Sequence, residues 1–316
     1  MYPIPEDFYL GKYNFTINCR EDVILSSFRG STIRGALMSS LHDIICMQQQ
    51  VSDCQKCMVK ENCVFALLFN SFPPEDAEVL TNLDDIPRPY SIYISARQGR
   101  IFEPGDKLNF TLKLIGKNTD YIGHIAMAVK NLENEGLGGG RGKIELESIT
   151  SKGENILDEK DGTIDKEKPL IYAGKFNREF EEKTKKIKMT LNSPLRLKYE
   201  DEYCEEIEFH HIIRDLCRRF STFARIYCDL ELDWNFKKII TKAEQVEKLS
   251  ADTQWIDKTR YSKSQDQELK IGGLLGEVKF AGEIGQFIPL LRLGEIMQSG
   301  KSTTFGFGKY ELKVSE

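Results

Sequence analysis

Apolar and polar residues alternate along "FYLGKYNFTIN" (8–18) and again along "KLNFTLKLIG" (107–116), the signature of strands that bury one face. Between them Ile33, Leu37, Leu41 and Ile44 recur at helical spacing, which predicts a helix over 32–45. "DYIGHIAMAVKNLENE" (120–135) predicts a second helix, and "GLGGGRGKIEL" (136–146) a glycine-rich turn running into a strand. The rhythm then stops. "SKGENILDEKDGTIDKEK" (151–168) is dominated by charged residues, with few apolar ones, and predicts a hairpin tip or linker.

The second half repeats the plan. "KIKMTLNSPLRLK" (186–198) reads as a strand, 207–227 as a long amphipathic helix and 236–249 as a further helical run. "TQWIDKTRYSKSQ" and "ELKIGGLLGEVKFAG" form a hairpin pattern, followed by a helix over 283–297, a glycine-rich loop and a last strand. Both halves end in helix, glycine-rich turn, strand. This self-similarity predicts an α+β protein of two tandem ferredoxin-like βαββαβ domains. The expected boundaries are 1–150, a polar hairpin or linker over 151–185, and 186–316, with a cysteine-rich insertion at 46–63 of the first domain.

Composition narrows the class. Hydrophobic residues at 40% and charged residues at 29% are those of a globular chain. No apolar run approaches the roughly 18 residues that span a bilayer, and the acidic start "MYPIPEDFYLGKY" lacks a signal core. A cytoplasmic protein without a membrane partner is expected. The net charge of −5 disfavours indiscriminate binding of nucleic acid but leaves room for a local basic face.

"SGKSTTFGFGK" (299–309) contains the Gly-Lys-Ser-Thr that ends a nucleotide-binding P-loop. The glycine that the P-loop pattern needs upstream would fall on Glu295, and a helix precedes the loop where a strand should. No nucleotide cofactor is expected. The glycines instead predict a loop whose backbone can approach a sugar-phosphate chain, or a turn whose glycines allow close packing.

The eight cysteines do not read as a disulfide framework in a cytoplasmic chain. Cys46, Cys54, Cys57 and Cys63 fall in a C-x7-C-x2-C-x5-C arrangement. Four soft donors with no spare position fit structural zinc, with an iron–sulfur cluster as the alternative. Cys19, Cys204, Cys217 and Cys228 lack such spacing and are expected to be buried thiols.

Several stretches together resemble the CRISPR repeat-processing endoribonucleases of the RAMP superfamily. They are "FRGSTIRGAL" (28–37), the cysteine cluster leading into "CVFALLF", "PRPY" (87–90), "LGGGRGKIEL" and "WIDKTRYSKSQ". "IGGLLGEVKFAG" and "FIPLLRLGEIMQSGKSTTFGFGKYEL" (287–312) complete the set, and the helix and glycine-rich loop of the last carry it most specifically. Many relatives have histidine where this chain has Gln298. The resemblance implies metal-independent cleavage of precursor CRISPR RNA within its repeats. It also implies CRISPR repeat RNA as partner and allows for subunits of a CRISPR effector complex. The alternative is an inactive RNA-binding subunit that holds CRISPR RNA in such a complex.

Metal-free cleavage uses the RNA's own 2′-hydroxyl, with a base, an acid and a cation supplied by the protein, and leaves 2′,3′-cyclic phosphate and 5′-hydroxyl ends. Of the four histidines, His42 aligns with Ser31, Gly35 and Ser39 on a small-residue helical stripe and is the first acid–base candidate. His124 sits in an apolar context and reads as structural. Lys301, Arg260 and Tyr261 complete the catalytic candidates. His211, Arg214, Arg218 and Arg225 share one narrow arc of the 207–227 helix, as a cationic stripe for RNA or a solvated face of intrahelical pairs. Lys258 and Lys263 join Arg260 and Tyr261 as cations beside an aromatic, suited to single-stranded RNA. Arg34 and Arg141, each beside glycine, are further phosphate candidates, as are Gln298, Gly300, Ser302, Gly306 and Gly308 in the last loop.

Overall fold

A computed structural model describes residues 2–48, 53–70, 86–158, 162–165, 169–180, 185–262 and 267–315. The side chains of residues 258, 260–262 and 267–270 are outside that description. The chain divides into two compact units, Leu10–Ile171 and Met1–Tyr9 with Tyr172–Glu316. The division differs from the expected boundaries at 150 and 186 for a packing reason. Ile156 and Leu157 belong to the core of the first unit. The turn Ala173–Glu179 packs against the last helix of the second.

The first unit is built from β1 (Tyr9–Cys19), α1 (Arg29–Ile45), α2 (Val64–Phe69), β2 (Tyr90–Tyr93), β3 (Lys107–Ile115), α3 (Ile122–Glu135), β4 (Ile144–Ser151) and β5 (Glu154–Asn155). Its sheet runs β2-β3-β1-β4-β5, each neighbouring pair antiparallel. Alternation decides the face. Tyr13, Phe15, Ile17 and Cys19 of β1 are buried, and Phe15 stacks on its cross-strand partner Phe110 at 4.6 Å. Ile33, Leu37 and Leu41 of α1 and Ile125, Val129 and Leu132 of α3 join that core. The buried Ser40 hydroxyl donates to the Ala128 carbonyl at 2.8 Å, tying the two helices. Ile44, expected on the buried stripe, is exposed.

The second unit contains β6 (Lys186–Leu195), α4 (Phe209–Cys228), α5 (Phe236–Ala243), β7 (Glu247–Ser262), β8 (Gln267–Ala281), α6 (Ile288–Met297) and β9 (Tyr310–Ser315). Its antiparallel sheet runs β7-β8-β6-β9. In each unit the four main strands, counted along the chain, are ordered second, third, first, fourth. The helix expected over 236–249 stops at Ala243, because Glu247 already pairs with Ala281 as the first residue of β7. Gly276 (φ +127°) sits where a Cβ would lie 2.0 Å from the Asp252 carbonyl, beside a register shift in the pairing of β8 with β6. The first residues of the chain complete this unit. The Trp234 indole donates to the Pro3 carbonyl at 3.0 Å, Phe8 meets Phe220 edge-on, and Asn177 bonds both backbone groups of Ile4.

Candidate functional site

The glycine-rich loop starts where α6 ends, at Gln298 in left-handed backbone (φ +65°), and runs to β9 through a short turn at Thr303–Phe305. Two charged residues of α4 hold it. Asp215 accepts from the Ser299 hydroxyl at 2.8 Å and from the Gly300 N–H, and pairs with Arg218 at 3.1 Å. Arg219 lies wholly inside, donates to the Thr303 hydroxyl at 2.8 Å and spreads over the Phe223 ring. Burial pulls its pKa down to about 10, so it stays charged at neutral pH.

The loop spends its backbone donors inside the protein. Ser299 N–H reaches the Gly308 carbonyl, Lys301 N–H reaches Arg196, Gly306 N–H reaches Thr303 and Gly308 N–H reaches Pro194. The glycines serve close approach of backbone to backbone. A Cβ on Gly308 would lie 1.8 Å from the Ser299 carbonyl, and one on Gly300 would lie 2.5 Å from that of Arg196. Gln298, Gly300 and Gly308 are buried, and the Gln298 amide donates to the Phe307 carbonyl at 2.6 Å. These three are parts of the loop's frame. Lys301, Ser302, Phe305, Gly306 and Lys309 are the half-exposed positions of the loop. Among the described residues no ion pair holds the Lys301 ammonium.

The cationic stripe of α4 is largely paired. Arg214 bonds Glu244 at 2.7 Å, Arg218 bonds Asp215, and Arg225 bonds Glu231. His211 is a capping residue: its Nδ1 accepts the Glu208 N–H at 3.2 Å while Glu208 caps the helix in return. Tyr199 lies against His211 at 4.7 Å, with the Arg214 guanidinium over its ring. Burial holds both His210 and His211 below the ordinary imidazole value, helped by Arg214 at His210 and by His210 at His211.

In the first unit His42 stands in the last turn of α1, partly exposed, its ring edge-on to Phe65 at 5.0 Å and Nδ1 3.6 Å from Asp43. Ser31, Gly35 and Ser39 are half-exposed or exposed, so the small stripe does face outward. Arg34 is turned inward, donating to the Tyr90 hydroxyl at 3.1 Å and lying over Phe69. Arg141 is exposed in left-handed backbone (φ +51°), in a loop whose Gly138 and Gly142 close onto the carbonyls of Ile24 and Asp22. Lys258, Arg260 and Tyr261 lie on β7, opposite Ile271, Leu269 and Glu268. Their side chains, and all of Lys263, fall outside the described residues.

Cys46, Cys54, Cys57 and Cys63 all line one cavity of about 330 Å³, together with Ile45, Phe65 and His124. Cys46 caps the end of α1, Cys54 and Cys57 bracket one short turn, and Cys63 ends a second and caps α2. Burial raises the Cys54 pKa, and the neighbouring Cys63, Cys46 and Cys57 add to it. The thiols surround the cavity instead of meeting at a point. Among the described residues no three Cys, His, Asp or Glu side chains stand close enough to hold an ion. All four are free thiols.

Sequence reasoning missed Asp215, Arg219 and Arg196, whose guanidinium reaches the Gly272 carbonyl and covers the Tyr203 ring. Arg219 did carry a signal. It falls on the apolar arc of α4, three residues after Leu216 and four before Phe223, where an unburied arginine has no place.

Comparison with known proteins fits this arrangement. A family model described as CRISPR-associated endoribonuclease Cas6 matches residues 189–310, spanning β6 to β9 and the whole glycine-rich loop. A second, described only as an N-terminal domain, matches residues 8–169. Among solved structures, the product complex of a Thermus thermophilus Cas6 superposes with a TM-score of 0.58 at 12% identity, covering 96% of this chain and 99% of that one. A partial Cas6-RT-Cas1–Cas2 complex gives 0.60 at 15% identity, over 99% of this chain and 47% of that chain. A RAMP protein described as binding different RNA substrates gives 0.50 at 12% identity, covering 97% and 100%. No curated protein matches. The fold is that of Cas6. Over residues 189–310 the chain matches the Cas6 endoribonuclease family, and over nearly its whole length it shares the fold of the solved Cas6 structures. No helix among the described residues is long and apolar enough to cross a membrane.

Proposed function

We propose that this protein is an endoribonuclease that cuts precursor CRISPR RNA within its repeats, without a catalytic metal. The observation that carries the reading is the match of residues 189–310 to the Cas6 endoribonuclease model, across the loop to which Asp215 and Arg219 hydrogen-bond. The shared strand order of the two units supports two ferredoxin-like domains. The Thermus thermophilus relative is described as a product complex and a further neighbour as binding RNA, which supports RNA as the ligand here.

In this reading the RNA's 2′-hydroxyl attacks the adjacent phosphorus, and its proton goes to a base on the protein. The P–O5′ bond breaks as a proton reaches the leaving oxygen, giving a 2′,3′-cyclic phosphate and a 5′-hydroxyl. His42 is the proton-transfer candidate because it is partly exposed at the end of an outward stripe of small residues. Lys301, half-exposed on that loop, supplies a point charge for the RNA backbone. A Cas6 structure associated with Cas1 and Cas2 makes other CRISPR proteins the class of partner to look for.

The test uses repeat RNA and the purified chain with no divalent metal added. The expected result is a single cut with cyclic-phosphate ends. A repeat carrying deoxyribose just upstream of the scissile phosphate should bind and stay whole. His42→Ala should slow cleavage by about two to four orders of magnitude with binding near normal. Wild-type cleavage by that variant removes His42 from the mechanism, and binding without any cut by the wild-type chain leaves only an RNA-holding role.

A further inference from the structure

Among its described residues, the segment from Cys46 to Cys63 has no core of its own. None of its described residues, 46–48 and 53–63, is buried. Met47 and Met58 are 88% and 89% exposed. Among those residues the regular structure is two three-residue turns, Cys54–Lys56 and Lys60–Asn62, each closed by two backbone bonds, such as Lys56 N–H to Asp53 and Cys57 N–H to Cys54 at 3.2 Å. Each ordered residue costs about 1–2 kcal/mol of backbone entropy, and segments this short meet that cost with a disulfide or a metal when they lack apolar burial. No disulfide is present, since all four cysteines are free. Yet all four thiols are among the six half-buried residues of the segment, with Gln48 and Lys60, and all four line the same cavity.

We infer that Cys46, Cys54, Cys57 and Cys63 bind one zinc ion as thiolates, and that this ion stands in for the missing core of residues 46–63. The placement of the cysteines at the ends of α1, of both short turns and at the start of α2 means that one ion would tie four element ends together. Four thiolates are a closed donor set with no position left for water, so the ion is structural and takes no part in RNA cleavage. The thiols surround the cavity without converging, so binding draws them inward and releases their protons. His124, across the cavity on α3, is a wall residue and not a ligand.

The full chain, purified under reducing conditions without chelator, should contain about one zinc per chain by elemental analysis. Cobalt exchanged into it should show the intense visible bands of a tetrahedral ion and thiolate-to-metal charge transfer. Cys57→Ser and Cys63→Ser should lose the metal, while Cys204→Ser and His124→Ala keep it. Where a variant fails to fold, the wild-type chain is stripped with a thiol-capping mercurial instead. Amide exchange should then accelerate in residues 53–63 and stay unchanged in α3. Metal-free wild-type protein, zinc retained in both cluster variants, or the absorption of an iron–sulfur chromophore would each overturn the assignment.

Discussion

Asp215 accepts two hydrogen bonds from the loop that follows α6, and the loop's shape depends on them. Removing the carboxylate in Asp215→Ala leaves the Gly300 N–H and the Ser299 hydroxyl without partners in a buried setting, which costs about 1–3 kcal/mol per group. The unit should melt several degrees lower, at about 2–4 °C per kcal/mol for a domain of this size. RNA binding should weaken with it, because Lys301 is carried on the same loop. Calorimetry and a binding titration check both; an unchanged melting temperature would show that the loop is held elsewhere. At Gln298 the same scale gives a different lesson. A residue named as an RNA contact from its place in a motif is fully buried, and its amide closes the loop onto Phe307.

α4 is where most of the element-scale chemistry gathers. Its buried arc and its cation stripe were both legible from spacing, since offsets of three and four residues return to the same face. Which cations are paired was not, because Glu244 lies thirty positions away from Arg214 and is brought to it by α5. The N-terminal end of the helix carries a pH response. His210 and His211 are held below 6.5 by burial, with Arg214 opposing their protonation and Glu208 and Glu244 favouring it. Below that value the unfolded chain takes up protons that the folded one refuses, so the stabilisation is complete above about pH 6.5 and is lost as pH falls towards the folded value. The melting temperature of the unit should drop between pH 7 and pH 5. His210→Gln with His211→Gln keeps an acceptor for the Glu208 N–H and should flatten that drop. An identical drop in the double variant would place the response in other groups.

At the scale of the whole molecule, the chain's first residues belong with its second half. Pro3, Ile4 and Phe8 contact Trp234, Asn177 and Phe220, all within the unit completed by Tyr172–Glu316. A chain lacking residues 2–7 should therefore expose α4 and α6 to faster amide exchange, while α1 and α3 exchange at their usual rates. Loss of protection in α3 instead would contradict this division. Each unit closes its own four main strands in one order, and each places a glycine-rich turn between its last helix and the last of those four strands.

Sequence alone determined what depends on near neighbours. The strands over 8–18 and 107–116, the buried faces of α1 and α4, and the glycine-rich turns followed from periods of 2 and 3.6 and from residues that tolerate positive φ. The resemblance to Cas6 over the last domain was legible for the same reason, since it rests on the order of local elements. Tertiary structure decided whatever joins distant positions: the break at 9/10 and 171/172, the pairing of Arg34 with Tyr90, and the capture of the last loop by Asp215 and Arg219. It also decided that the loop's N–H groups are spent on Gly308, Arg196, Thr303 and Pro194. A glycine reads the same in sequence whether a phosphate or a carbonyl approaches it. Only the packed backbone shows that here the carbonyl arrives first.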